Sequence, residues 1–480
     1  MTNDMALMDA TATAAAVASG KISAAELLEA AITRAQALNP SLNAITVESF
    51  DTGRRLVSDG LPEGPFTGVP FLLKDLGAEA IDFPTTAGSN LFKGTVYSYD
   101  SEIYTRLRKT GVVTFGRTAS PELGIGPVTE AGANGGPTRN PWNTNHTSGG
   151  SSGGAGAAVA AGIVPAAHGS DGGGSVRIPA SSCGLVGYKP TRARLPDGPA
   201  AGEGWGGMAI DGFLTRSLRD TATLLDAVAG PDLGAPYWAP PMTGTYAEAM
   251  TLDPKNLRIA VSTHTLSGDD VHPECAEAVE RTAKALEGLG HHVELFDATV
   301  EIEPMMRAWT TIVACGTALS VNAKIKEPAD LDKIDGVTRG AVRFAEGKSG
   351  SDYLAAIETV HAFGRQMARR LDTIDILVTP TLGEPPAEVG RFKPVNEDFL
   401  DYRTGPGGVF AYSPYTAAFN ASGQPSVSLP LHWSKNDLPV GVHLAASFGD
   451  DELVMAVAAQ LEMAMPWADK QKTLIRKLLD

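Results

Sequence analysis

Between Gly149 and Ser175 the chain sets two serines in glycine nests, 24 positions apart, and joins them by a segment too apolar to be a flexible linker. The first nest reads Gly149-Gly150-Ser151-Ser152-Gly153-Gly154 and the second Asp171-Gly172-Gly173-Gly174-Ser175. Glycine beside serine lets backbone N–H groups turn inward and leaves the hydroxyl unshielded. A serine nucleophile with an oxyanion hole requires both. The plainest reading of a Gly/Ser cluster is a loop. Against it stands Ala155-Gly156-Ala157-Ala158-Val159-Ala160-Ala161, whose small helix formers predict a tightly packed helix with Ser152 at its N-cap. The first nest also fits G-x-S-x-G, but a nucleophile elbow needs an apolar strand before it, and Trp142-Asn143-Thr144-Asn145-His146-Thr147 stands there instead. Neither nest ends in Gly-Lys-Ser/Thr, so neither is a phosphate-binding loop. Gly347-Lys348-Ser349 has that tail, with Val342 where the first glycine must be.

Elsewhere the pattern alternates helix and strand. Ser23-Ala24-Ala25-Glu26 is a capping box opening a helix that Asn39-Pro40 should end. Gly68 to Leu73 reads as a buried strand with Lys74 as its charged terminus. A helix over 102–109 leads into a strand at 112–115. Strands at 257–261 and 292–295 flank a helix begun at Pro273, and 374–378 is a strand stopped by Pro380. Two further strands, at 427–429 and 440–444, precede a helix from Asp451 to about Met463. This alternation predicts an α/β fold with a large central sheet covered by helices. A length of 480 residues suggests roughly three domains. No linker supports such a split, because the Pro- and Gly-rich stretches 195–207 and 230–244 are short and interrupted by Trp205, Tyr237 and Trp238.

The net charge of −16 is spread along the chain without a Lys/Arg stripe beside aromatics, which argues against a nucleic-acid partner. Cys183, Cys275 and Cys315 lack metal or disulfide-framework spacing and read as reduced, buried side chains. Asp4 and Asp9 near the start do not suit a signal peptide, and the small-apolar run 155–167 is too short to cross a bilayer. A soluble, cytoplasmic protein is expected, with no membrane partner, no metal and no cofactor, since no ligand cluster or dinucleotide fingerprint occurs.

The run from Gly149 to Thr191, GGSSGGAGAAVAAGIVPAAHGSDGGGSVRIPASSCGLVGYKPT, resembles the signature segment of the amidase signature family. Pro70-Phe71-Leu72-Leu73-Lys74-Asp75 resembles the family's lysine-bearing strand, Thr138-Arg139-Asn140-Pro141-Trp142 its approach to the first serine, and Phe419-Asn420-Ala421-Ser422-Gly423-Gln424-Pro425 its C-terminal turn. Within the family the chain looks most like the branch of 6-aminohexanoate cyclic-dimer hydrolases, bacterial aryl acylamidases and metagenomic urethanases. The resemblance implies one large α/β domain over residues 1–480, a central mixed β-sheet covered on both sides by α-helices. The signature core would span about 68–220 and a C-terminal sheet/helix part about 370–465.

A lysine ending a buried strand ordinarily snorkels or pairs with a carboxylate, and Asp75 is adjacent. Burial can instead lower its pKa and make it a neutral base. The residues leave both readings open; the resemblance implies the second. It makes Ser175 the nucleophile, Ser151 the proton relay held through a cis Gly150–Ser151 peptide, and Lys74 the base. The backbone N–H groups of Gly172, Gly173, Gly174 and Ser175 would form the oxyanion hole. Asp171 and Arg177 flank the nucleophile as support, through a salt bridge or hydrogen-bond clamp, and Ser152 supports as N-cap. Cys183 reads as packing. Of nine histidines, His146 and His168 lie nearest the signature and read as structural, with His168 lining the site near Asp171. Many family members carry Thr or Ile where Gly172 stands, which implies a roomier acyl site here. Loops 202–212 and 390–415 are candidates for the substrate funnel.

The function implied is hydrolysis of C–N bonds in small, largely apolar amides (aryl acylamides, oligoamides) through an acyl-enzyme, with carbamates, urethanes and esters as further substrates. The protein would be a monomer or homodimer acting on a small-molecule amide or carbamate. The alternatives are the A subunit of a tRNA-dependent amidotransferase and a non-catalytic homologue, which would have lost one of the three residues.

Overall fold

Pro70-Phe71-Leu72-Leu73-Lys74 is buried at every residue, charged end included, because the strand it forms is covered on both faces. The computed structural model describes residues 2–480. Eleven strands make one mixed sheet: β1 (Ile45–Glu48), β2 (Pro70–Lys74), β3 (Val113–Thr118), β4 (Ala166–Asp171), β5 (Val186–Lys189), β6 (Ile210–Thr215), β7 (Arg258–Val261), β8 (His292–Leu295), β9 (Ile376–Pro380), β10 (Ser426–Trp433) and β11 (Pro439–Ala445). Their order is β1-β3-β2-β4-β6-β5-β10-β11-β9-β7-β8. β2 runs parallel to both β3 and β4, with Leu72 opposite Ala167, so the ends of β2 and β4 emerge at the same edge. Among the described residues no helix is long and apolar enough to cross a membrane.

Ser23 caps the helix Ala24–Leu42 as its capping box predicts. The helix does not stop at Asn39-Pro40. Pro40 sits in the last turn, and the stop comes at Asn43, which is left-handed (φ 50°) and donates its N–H to the carbonyl of Asn39. A proline there forfeits only one helical hydrogen bond, and Asn39 Oδ1 accepts the N–H groups of Ala44 and Ile45 at 2.8 Å each.

The Ala/Gly segment forms the helix Gly153–Ala160, buried throughout. Its small residues are a packing requirement. A Cβ on Gly154 would lie 2.3 Å from Ala119 N and 2.5 Å from Ala44 O, and one on Gly156 would meet Cys183 Sγ and Pro179 Cβ at 3.2 Å. Cys183 is buried there as packing, its thiol pKa pushed up by desolvation. Ser152 occupies the N-cap position, but its side chain makes no cap bond. Its hydroxyl donates to Ser170 O and accepts from Ser170 N, both at 3.3 Å, and so ties the helix start to β4. Gly169 makes room for it, since a Cβ there would come within 2.9 Å of Ser152 Oγ.

Replacing Gly154 by Ala tests this packing. Helix propensity favours alanine by about 1 kcal/mol, but the new methyl meets backbone that cannot yield. We expect a net loss of about 1–3 kcal/mol in chemical denaturation; an unchanged or raised midpoint would contradict the tight packing.

Candidate active site

The parallel ends of β2 and β4, and the turn before helix Gly153–Ala160, bring Lys74, Ser151 and Ser170 together. Lys74 Nζ donates to Ser151 Oγ at 2.7 Å and to Ser170 Oγ at 2.9 Å. The Gly150–Ser151 peptide is cis. Lys74 is fully buried. Desolvation lowers its amine pKa to about 7, against the opposing fields of Asp211 and Asp171.

Asp75 is not its partner. That carboxylate accepts the N–H of Thr86 (2.7 Å), the Thr86 hydroxyl and the N–H of Gly88 (3.2 Å). His168 is also occupied. Its Nδ1 accepts the N–H of Lys74 at 3.3 Å and its Nε2 lies 3.0 Å from Asp211 Oδ1. This pairing makes it the neutral Nε2–H tautomer, donating to Asp211. Its partner is therefore Asp211, on β6. His146 Nδ1 contacts Pro386 O at 2.8 Å, away from the serines. Arg117, which the sequence did not single out, donates to the carbonyls of Lys74 (2.7 Å), Gly77, Ala78 and Phe83 and fixes the chain leaving β2.

The second nest is shaped by a buried ion pair. Arg177 holds Asp171 through Nε–Oδ2 (3.0 Å) and Nη2–Oδ1 (2.8 Å), both side chains inaccessible to solvent. Burial by itself would raise the Asp171 pKa; the charge and hydrogen bonds of Arg177, with Asn420, hold it well below the carboxylate range. Asn420 Nδ2 donates to Asp171 O and Oδ1, each at 2.9 Å, and Asn420 Oδ1 accepts from Arg177 at 2.6 Å. His443 Nε2 also contacts Arg177, at 3.1 Å; because guanidinium cannot accept, the imidazole does. Burial and the Arg177 charge depress the His443 pKa well below the usual value.

The oxyanion expectation changes at one position. The N–H of Gly174 donates to Asp171 Oδ1 at 2.8 Å and is already spent. Those of Gly172, Gly173 and Ser175 have no acceptor among the described residues. Their orientation is imposed from behind. Trp309 Nε1 donates to Gly172 O at 3.1 Å and Thr416 Oγ1 to Gly173 O at 2.6 Å, which fixes both peptide planes. Sequence reading missed Trp309 and Thr416, which lie more than 130 positions downstream and carry no motif of their own.

Ser151 and Ser175 both line a cavity of about 390 Å³. The loop 202–212 contributes Glu203, Trp205, Ala209 and Asp211 to its wall, as expected of a funnel. The loop 390–415 does not reach this cavity; it lines a smaller pocket that also includes Ser175, through Arg403, Val409, Phe410 and Ser413. The expectation of extra room at Gly172 is overturned. A Cβ there would meet Trp205 Cζ3 at 2.4 Å and Cε3 at 2.5 Å, so an indole occupies the space that the missing side chain frees. Among the described residues no group of three or more His, Cys, Asp or Glu side chains is arranged to hold a metal ion.

A family model described as Amidase matches residues 26–455. The 6-aminohexanoate-cyclic-dimer hydrolase of Paenarthrobacter ureafaciens is 38% identical over 479 residues, 97% of each chain. A solved structure of 6-aminohexanoate cyclic dimer hydrolase superposes with a TM-score of 0.91 at 37% identity, over 98% of this chain and 99% of that one. A bacterial aryl acylamidase of the amidase signature enzymes follows with a TM-score of 0.86 at 27% identity, covering 98% of both chains.

The ion pair makes a stability prediction. Asp171→Asn leaves the Arg177 charge buried without its counter-ion, which should cost roughly 3–5 kcal/mol. Adding Arg177→Met should recover part of that loss in urea unfolding. A single variant as stable as the parent would show that the pair does not hold the loop.

Proposed function

The chain belongs to the amidase signature family, and from that premise we propose that it is a serine amidohydrolase with Ser175 as nucleophile, Ser151 as relay and neutral Lys74 as base. Family membership carries the coarser statement that it is a hydrolase acting on amide bonds. The observation that supports the finer one is the contact of Lys74 Nζ with Ser151 Oγ, in a site dry enough to push the amine down to about 7.

A serine hydroxyl is a weak nucleophile unless its proton leaves as it attacks. Ser175 Oγ bonds to the amide carbonyl carbon while its proton passes to Ser151 Oγ, and the proton of Ser151 passes to Lys74 Nζ. The carbonyl oxygen, now carrying the negative charge, meets the N–H groups of Gly172, Gly173 and Ser175, which have no other acceptor. When the C–N bond breaks, Ser151 returns a proton to the departing amine and recovers one from Lys74. Water repeats the sequence on the acyl-serine ester, releasing a carboxylic acid and freeing Ser175. Asp171 and Arg177 act by holding the loop in shape.

The substrates proposed are aryl acylamides and linear or cyclic oligoamides with apolar bodies. Carbamates, urethanes and esters come next, because the same attack serves any carbonyl with a group that can leave. Three free cysteines fit a reducing cytoplasm. The second reading, an ammonia-supplying amidotransferase subunit, is less favoured because the relative matched along 97% of both chains is named a hydrolase.

Hydrolysis of 4-nitroacetanilide by the isolated chain tests the proposal. Below pH 7 Lys74 takes up a proton and can no longer accept one, so kcat/KM should fall about tenfold per pH unit at low pH and level off above about 7. Ser175→Ala and Lys74→Ala should each lose roughly 10⁴-fold or more. A Lys74→Ala enzyme turning over at the parental rate would sink the mechanism, and activity appearing only with a partner protein would favour the second reading.

A further inference from the structure

Trp205 occupies an unusual position beside Ser175. Its backbone is left-handed (φ 51°), and Gly206 (φ 63°) and Gly207 (φ 77°) continue that conformation. A bulky residue rarely adopts it, and such strain persists only where the surroundings enforce it. They do so here. Arg192 Nε donates to Gly207 O at 2.7 Å, and Asn420 Nδ2 to Met208 O at 3.0 Å. The indole lies in a slot made by two absent side chains. Its six-membered ring covers Gly172, and its five-membered ring faces Gly316, where a Cβ would lie 3.0 Å from Cδ1 and 3.2 Å from Nε1. Trp205 then packs edge-on against Trp309 (5.8 Å, 76°), which packs edge-on against Phe410 (5.5 Å, 82°).

Trp205 lines two separate spaces that both reach Ser175. The larger, about 390 Å³, also contains Ser151 and Ser170. The smaller, about 30 Å³, is bounded by Gly173, Ile178, Trp309, Arg403 and Phe410 and does not contain Ser151. The departing nitrogen must take its proton from Ser151, so the amine half of the substrate belongs in the larger space. The acyl half is left with the smaller, aromatic one.

We propose that Trp205 is the specificity-determining residue on the acyl side: its indole, seated on Gly172 and Gly316, separates the two spaces and restricts the acyl group to a few carbons while the amine group remains unrestricted. The inference rests on the amidohydrolase reading and adds the substrate class: short-chain acyl derivatives of bulky, aromatic or extended amines. Removing the indole joins the spaces and admits longer acyl chains.

The test compares two substrate series on the wild type, Trp205→Ala and Trp205→Leu. One series is the 4-nitroanilides of acetate, butyrate and hexanoate; the other is the acetamides of aniline, naphthylamine and aminobiphenyl. In the wild type, kcat/KM should fall along the acyl series and hold along the amine series. In both variants the hexanoyl-to-acetyl ratio should rise at least about tenfold, chiefly through a lower KM for hexanoyl, with the order of the amine series kept. An unchanged acyl ratio in the variants, an equal loss on both series, or a wild type that already prefers hexanoyl would overturn the proposal and leave the amidohydrolase reading standing. A wild type that cleaves none of these amides would remove that reading, and this one with it.

Discussion

The desolvation of one amine is the constraint on which the site depends. Lys74 ends a strand buried on both faces, and water is kept from it by the apolar body of β2 and by the helix of glycine and alanine beside it. Desolvation lowers its pKa, while the two carboxylates whose fields it feels, Asp211 and Asp171, push the other way. Both are engaged elsewhere. Asp211 takes the imidazole of His168, and Asp171 takes the guanidinium of Arg177. Asp75, closest in sequence, is turned away onto Thr86 and Gly88. An amine with no direct ion pair in a dry site stays near its proton-transfer point at neutral pH. A single salt bridge to Lys74 would return the ammonium form, so the satisfied state of its acidic neighbours is part of the chemistry.

The glycine loop shows the complementary use of charge. Glycine supplies freedom that the surrounding structure must remove, and the Asp171–Arg177 pair removes much of it. The carboxylate collects the N–H groups of Gly174, Val176 and Arg177 and leaves those of Gly172, Gly173 and Ser175 for a ligand. Trp309 and Thr416 fix the carbonyl side of the same peptides. The loop is thereby held from two directions by groups from distant parts of the chain. Fixed dipoles of this kind are effective because they need no reorganisation when charge develops.

Much of this was legible from the residues. The capping box at Ser23, the strand ending in Lys74, the small-residue helix and the two serines stand where their patterns put them. The second strand on which the site is built, β4, was not legible. Ala166-Ala167-His168-Gly169-Ser170-Asp171 has no β-branched residue and no Phe, Tyr or Trp; β4 lies against β2 and β6 and must admit Ser152 at Gly169. Packing overrode propensity there. Asn420 was visible as part of a motif, yet its role as the third member of the Asp171–Arg177 cluster exists only in three dimensions. The stop at Asn43 was missed because proline is a weak signal in a final turn whose bonds are already thinning.

Gly172 carries the most instructive difference. From the sequence, a glycine where the family resemblance implies a larger side chain means space. In the fold that space is filled by Trp205, which arrives 33 positions later on a strained loop and needs a second glycine, Gly316, to fit. The indole and the two glycines fit one another at the close packing that interiors demand. The wall beside Gly172 is therefore supplied by the loop that carries Trp205. A side chain on the oxyanion loop would be fixed with the catalytic backbone, whereas the indole reaches the wall from a separate loop and touches that backbone at Gly172. The acyl boundary is thereby coupled to the oxyanion loop through Trp309, which packs on the indole and holds Gly172 O.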